Sequence, residues 1–370
     1  MEIAAITCHD VYNYGASLQA YALQHYCESL GCKYHIIDYK PDYLSGHYSL
    51  TAVANPRFDK PLIKQLYLLA KMPGRLAGLR RKKRFDAFTT KYLNITSRRF
   101  NSCQEIAGDC PPADLYIAGS DQIWNTLFKN GRDAAFYLDF VENRGRKISY
   151  AASFATERIY NDAEPFVVSK LRNFDAISVR ESSALKLLEN LGRTDGLLVC
   201  DPVFLLSAAD WRKRIPQIPQ SIKEDYILVY DCERSERLRE MALGLKSRTG
   251  LPIYALSPTF GRYADNDLSL SGPIEFLMLM ANAKYVVANS FHALAFSIIF
   301  EKDFYIINRS ENINTRMGDF LSYLGTSERL IFTPQQLTLE PVDFSRIRPT
   351  VDALIRISKD FLNHQISLCQ

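Results

Sequence analysis

EIAAITCHDVYNYGASLQAYALQHYCESLGCKYHIIDY, residues 2–39, decides the fold. Glu2 to Cys8 is a short β-type run, and residues 9–14 are polar and turn-like. Ala16 to Leu30 has helical spacing, with Leu23, Tyr26, Cys27 and Leu30 on one stripe and Gly31 as the stop. Lys33 to Tyr39 returns to a strand pattern. A strand, a helix and a strand in this order imply parallel pairing with a right-handed crossover.

The same alternation continues along the chain. Strands are expected at 114–118, 146–152, 175–179 and 197–200, with a helix at 181–191 stopped by Gly192. Residues 41–61 read as a loop rich in Tyr, Ser and Pro. A helical pair at 62–72 and 75–92 is expected to break at Pro73-Gly74. A second α/β series opens near 225. It has strands at 226–230, 252–256, 285–288 and 304–307, and helices at 234–248, 274–282, 291–300 and 315–324. Pro216 and Pro219 make 205–224 the linker candidate. A last helical pattern, 343–366, is placed to pack back on the first domain.

The expectation is therefore an α/β protein of two domains facing across a cleft, 1–204 and 205–345, with a C-terminal helix in 346–370 and a basic helical insertion at about 60–92. A length of 370 residues suits that division.

Bulk composition excludes several classes. Hydrophobic residues make up 47% and charged residues 23%, as in an ordinary globular protein. The net charge of +4, from 45 basic and 41 acidic residues, is too small to imply nucleic acid. The eight cysteines form no CxxC pair and sit mostly in apolar runs, so buried reduced thiols are expected rather than a zinc or redox site. Met1-Glu2-Ile3 leads straight into a strand pattern without a signal peptide, and no apolar run is long enough to span a bilayer. A cytoplasmic protein is expected.

Ligands in open α/β sheets bind beyond the carboxyl ends of strands, so the chemistry is sought there. Asn13-Tyr14-Gly15-Ala16-Ser17 follows the first strand. Gly15 admits close backbone approach and the helix offers free N–H groups to an anion, although an ordinary N-cap turn gives the same pattern. It lacks the GxGxxG spacing of a dinucleotide site. Gly119-Ser120-Asp121-Gln122-Ile123-Trp124-Asn125 follows another strand, and its residue types suit sugar hydroxyls and a stacking face, or a turn with a buried tryptophan. Ser153 lies in a small-residue stretch at a third strand exit. Arg180 ends an apolar strand, where a guanidinium can grip a phosphate or carboxylate through two nitrogens, or pair with Glu181. Asn289-Ser290-Phe291-His292 follows the strand 285–288. It sets His292 at a helix N-terminus, where it can donate to anions and relay protons. The other histidines lack this setting and also lack metal-ligand spacing, so no metal is expected.

Taken in order, NYGASLQAYAL (13–23), AGSDQIWN (118–125), KISYAASFA (147–155), ISVRES (177–182), DPVFLL (201–206), NSFHALAFSIIF (289–300) and NTRMGDFL (314–321) resemble the polysaccharide pyruvyl transferase family. The resemblance implies two Rossmann-like domains in a GT-B-like arrangement, the first on the acceptor side and the second on the donor side. It implies phosphoenolpyruvate as co-substrate, no other cofactor, and transfer of pyruvate as a ketal to a sugar of a glycan or lipid-linked oligosaccharide in bacterial surface polysaccharide biosynthesis. The family histidine corresponds to His292, and the family arginines to Arg180 and Arg316. Asn13, Tyr14, Gly15, Gly119, Ser120, Asp121, Ser153, Asn289 and Ser290 are the candidate binding residues. Some branches of the family carry an arginine where this chain has Ser290, which directs attention to Arg309 or Arg316 as the replacement. A GT-B glycosyltransferase using a nucleotide sugar and a non-catalytic paralogue in a glycan-assembly complex are the competing readings. Arg80, Arg81, Lys82, Lys83 and Arg84 form a basic run expected to touch an anionic membrane surface, or to be a solvated helix face.

Overall fold

The computed structural model describes residues 1–45, 48, 51, 60–142, 144–216, 222, 225–257, 263–309 and 315–370. Most of the expected loop at 41–61, much of the 205–224 linker including Pro219, and the side chain of Arg316 lie outside these residues.

In the first half, the strands are β1 (Glu2–Ile6), β2 (Lys33–Tyr39), β3 (Ile95–Phe100), β4 (Leu115–Ala118), β5 (Arg146–Ala152), β6 (Ala176–Val179) and β7 (Leu197–Leu198). Their helices are α1 (Tyr14–Ser29), α2 (Pro61–Tyr92), α3 (Cys103–Gly108), α4 (Glu164–Leu171) and α5 (Ser182–Asn190), followed by the short α6 (Ala208–Arg212). The second half adds β8 (Ile227–Tyr230), β9 (Ile253–Ala255), β10 (Asn266–Asp267), β11 (Tyr285–Ala288), β12 (Asp303–Ile307) and β13 (Leu330–Ile331). With them come α7 (Glu236–Thr249), α8 (Pro273–Asn282), α9 (Phe291–Ile299), α10 (Thr315–Tyr323) and α11 (Phe344–Ser367).

Among the described residues the strands form two parallel sheets, ordered β3-β2-β1-β4-β5-β6-β7 and β10-β9-β8-β11-β12-β13. Strands such as LYIA, ILVY and YVVA are buried along their whole length, because helices cover both faces of a parallel sheet. The two-domain α/β expectation is met.

The domains are not held apart. Tyr14 of α1 stacks on Phe276 of α8 at 4.9 Å and meets Tyr230 of β8 edge-on at 5.3 Å. Its hydroxyl donates to the Ser271 carbonyl at 3.1 Å. Helix α1 is buried nearly all round, as a helix sandwiched between its own sheet and a second domain must be. The C-terminal helix packs back on the first domain. Ser358 Oγ accepts from the Cys200 amide at 2.8 Å, Tyr26 donates to Asn363 at 3.0 Å, and Arg146 Nη2 donates to Gln365 at 2.8 Å.

The expected helical pair at 62–92 is one continuous helix, α2. Pro73 removes one backbone donor, but it sits at an exposed position among strong helix formers, so the turn is carried through.

Candidate active site

Each sheet has one point where the chain reverses its order. In the first, β1 leads outward through β2 and β3, and the chain returns to β4 on the other side of β1. In the second, β8 leads through β9 and β10, and the chain returns to β11 beside β8. Such switch points leave a crevice at the carboxyl ends. The two crevices face each other across a cavity of about 70 Å³. Asn13 reaches it from beyond β1, Asp121 and Gln122 from beyond β4, and Cys232 from beyond β8. Asn289, Ser290, Phe291 and His292 follow β11, and Arg309 follows β12.

Each wall is built locally. Asn13 caps α1, its side-chain oxygen accepting from the amides of Gly15 at 2.9 Å and Ala16 at 3.3 Å. Gly15 must be glycine, since a Cβ there would lie 1.9 Å from Nδ1 of His292. Gly119 is tight but less so, its imagined Cβ 3.1 Å from Cβ of Thr7. Asp121 adopts φ of +81°, a conformation costing about 1–3 kcal/mol for a residue with a side chain. It is held there by the β-bridge to Ala152. Asn289 ties the two second-domain crevice loops together, donating to Asp231 at 2.8 Å and accepting from the Cys232 amide at 2.7 Å. Ser290 is the N-cap of α9, but its side chain makes no capping bond. The N-terminus of α9 thus faces the cavity without a side-chain cap.

Behind the cavity lies a buried charge cluster that the sequence reading missed. Asp201 is 1% exposed. Its Oδ2 accepts from Arg180 Nη1 and from Ser120 Oγ at 3.3 Å, and lies 3.4 Å from His292 Nε2. Its Oδ1 accepts from the Val203 amide at 3.1 Å. Burial pushes the carboxyl up, but the charges of His292 and Arg180 outweigh it and hold the group well below the usual carboxylate range. For Arg180 burial works against the charge, while Asp201, Asp121 and Glu181 together raise its affinity for the proton. Its Nη2 lies 3.5 Å from Asp121 Oδ1, and the guanidinium rests over the Phe291 ring at 4.7 Å. His292 is 6% exposed, clamped between Gly15 and Asp201.

Several expected site residues take other positions. Arg180 does not line the cavity: its side chain is 1% exposed and its charge is engaged by Asp201 behind the site. The pairing with Glu181 is replaced by this contact, and Glu181 instead accepts from Ser153 Oγ at 2.9 Å, which commits the Ser153 hydroxyl to the interior. Tyr14 belongs to the domain interface. Trp124 is fully buried, stacked on Tyr137 with its Nε1 donating to the Phe136 carbonyl at 3.1 Å, and offers no face to a sugar. Arg309 does reach the cavity, 3.7 Å from Glu233 Oε2. Asp201 had a readable signal, a carboxylate directly after a strand exit.

The family profile for polysaccharide pyruvyl transferase matches residues 13–311, from the cap of α1 to just beyond Arg309. The chain belongs to the polysaccharide pyruvyl transferase family. Among curated proteins no sequence match is found. Solved structures similar to this member of the family are GT-B-type enzymes. A UDP-N-acetylglucosamine 2-epimerase aligns at TM-score 0.53 and 12% identity, covering 98% of this chain and 95% of its own. The UDP-N-acetylglucosamine 2-epimerase of Rickettsia bellii aligns at TM-score 0.50 and 13% identity, covering 100% and 97%. At such identities the likeness establishes the GT-B-like fold alone. No helix among the described residues is long and apolar enough to cross a membrane.

Proposed function

We propose that the protein transfers pyruvate from phosphoenolpyruvate to two hydroxyls of one sugar, forming a cyclic ketal and releasing phosphate. Family membership supports a transferase. The observation that carries the finer reading is a histidine in the first turn of α9, backed by Asp201 and Arg180, where both switch points meet.

The donor carries a phosphate and a carboxylate. The first-turn amides of α9 and the guanidinium of Arg309 are the groups in the cavity suited to them. Arg316 is assigned to the donor by family resemblance alone. A proton added to the methylene carbon makes the adjacent carbon electrophilic. One sugar hydroxyl adds there, the bond from that carbon to the phosphate oxygen breaks, and the second hydroxyl closes the ring. Of the two hydroxyl protons lost, one balances the new methyl group and the other leaves with phosphate or solvent. His292 is the group placed to move a proton, and Asp201 stabilises the charge it acquires. Arg180 holds Asp201 ionised and in place. Incubation with phosphoenolpyruvate and free or lipid-linked glycans tests this. Release of phosphate together with a ketal-bearing product is expected. Release of a nucleoside diphosphate from a nucleotide sugar, with phosphoenolpyruvate inert toward every acceptor, would overturn it in favour of glycosyl transfer.

A further inference from the structure

The basic run 80–84 is not one surface. Consecutive helical residues point about 100° apart, so the run winds round α2. Arg81 turns inward to Tyr48, donating to its hydroxyl at 2.8 Å, and lies over the Phe85 ring at 4.5 Å. Lys82 pairs with Asp86 at 2.6 Å. Arg80 and Lys83 face solvent, and the exposed Arg84 also donates to the Leu270 carbonyl at 2.7 Å.

Further toward the N-terminus of the same helix, large apolar side chains stand in water. Ile63 is 43% exposed, Leu66 69%, Leu69 72% and Leu76 50%. At about 100° per residue these four fall within a sector of roughly 140°. Arg80, Arg84 and Lys91 continue along that sector toward the C-terminus. There Arg84 and Lys91 line a groove of about 450 Å³, with Lys213 and Arg214 across it. The groove's carboxylate, Glu275, lies 3.3 Å from Arg84. From Lys60 to Phe85 the chain has no Asp or Glu, against nine basic residues: Lys60, Lys64, Lys71, Arg75 and Arg80 to Arg84.

We infer that this face of α2 docks on an anionic lipid bilayer, its leucine end entering the acyl boundary and its basic end meeting headgroup phosphates. An apolar stripe of this size standing in water marks an interaction surface. Its charge selects the partner. A second copy of the chain would bring the same uniformly cationic patch against itself, and like-charge juxtaposition opposes that pairing. A surface of anionic headgroups over an apolar interior complements both ends at once.

The inference stands apart from the proposed chemistry, and its test separates the two. The full-length protein is sedimented with phosphatidylglycerol–phosphatidylcholine vesicles at low and high salt. Wild type should pellet at low salt and release as salt screens the attraction. Leu66→Glu with Leu69→Glu should lower the bound fraction by at least about tenfold. That variant should keep its melting temperature and its turnover on a water-soluble acceptor, because both side chains are exposed and far in sequence from the cavity. Arg80→Gln with Arg84→Gln should weaken binding and flatten its salt dependence. Wild type that stays in the supernatant at low salt, or equal pelleting of the Leu66→Glu/Leu69→Glu variant, would overturn the inference. So would a lipid-free dimer that those substitutions split, since the face would then join two copies.

Discussion

Two helices begin at the two switch points, and they begin differently. Helix α1 opens with Asn13, whose side chain closes two first-turn amides, those of Gly15 and Ala16. Helix α9 opens with Ser290, whose side chain closes none. The same strand–turn–helix construction thus yields an end capped by a side chain in the first domain and one without a side-chain cap in the second. The first positions a wall, with Gly15 laid against His292. The second has no side-chain cap and points the positive end of its dipole at the cavity. Under the proposed chemistry this asymmetry suits an anionic donor to the second domain and leaves the first to shape the histidine.

The largest effect should come from removing the carboxylate behind both ends. Asp201→Asn leaves Arg180 and His292 facing a neutral amide, and breaking a buried ion pair from one side costs about 3–5 kcal/mol. Denaturation at neutral pH measures it. The sign with pH follows from the depressed folded-state pKa of Asp201. Its contribution is full above the unfolded value of about 4 and is lost as pH falls from there toward the folded value. Wild type should therefore lose stability in acid along a slope that Asp201→Asn lacks.

Next is His292→Ala, expected to lower turnover at least about 100-fold while circular dichroism stays native. A wild-type rate would remove His292 from the mechanism. Gly15→Ala should mimic part of that loss, about tenfold or more, by driving the imidazole off its seat. Combined with His292→Ala it should cost turnover nothing further, the mark of two residues acting through one contact.

Ser290→Asp then tests the open end directly. A carboxylate cap should stabilise α9 by about 0.5–1 kcal/mol and at the same time weaken donor binding roughly tenfold, because it occupies the amides with the wrong charge. Unchanged donor affinity would place the anion elsewhere. The smallest effect belongs to Asn13→Ala, about 1 kcal/mol of stability from the lost cap with donor affinity held within about twofold. A large loss of donor binding in that variant would erase the asymmetry.

Much of this was legible in residues 2–39, where helical and strand periods alternate cleanly. Proline signals misled at α2, since the helix runs on through a solvent-exposed Pro73. Strand β3, with its exposed charged middle, carried no apolar alternation to find. At the site, Asn13, Asp121, Asn289, Ser290 and His292 all reach the cavity. Strand-exit position alone could not tell which way Arg180, Ser153 or Trp124 would turn. That depends on partners such as Asp201, Glu181 and Phe136, brought alongside by the fold.

Helix α11 sets an order of events on the ribosome. Both sheets are synthesised before it, yet it supplies contacts that complete the first domain, including a tie between Tyr26 and Asn363 spanning 337 positions. The segment around Tyr26 therefore waits for one made 337 positions later, and the flank of its sheet near Cys200 and Tyr150 stays uncovered until residues 344–367 emerge. A domain that usually folds first during synthesis is here finished late. The loop that must close to finish it is nearly the whole chain, an entropic cost that grows only with the logarithm of its length.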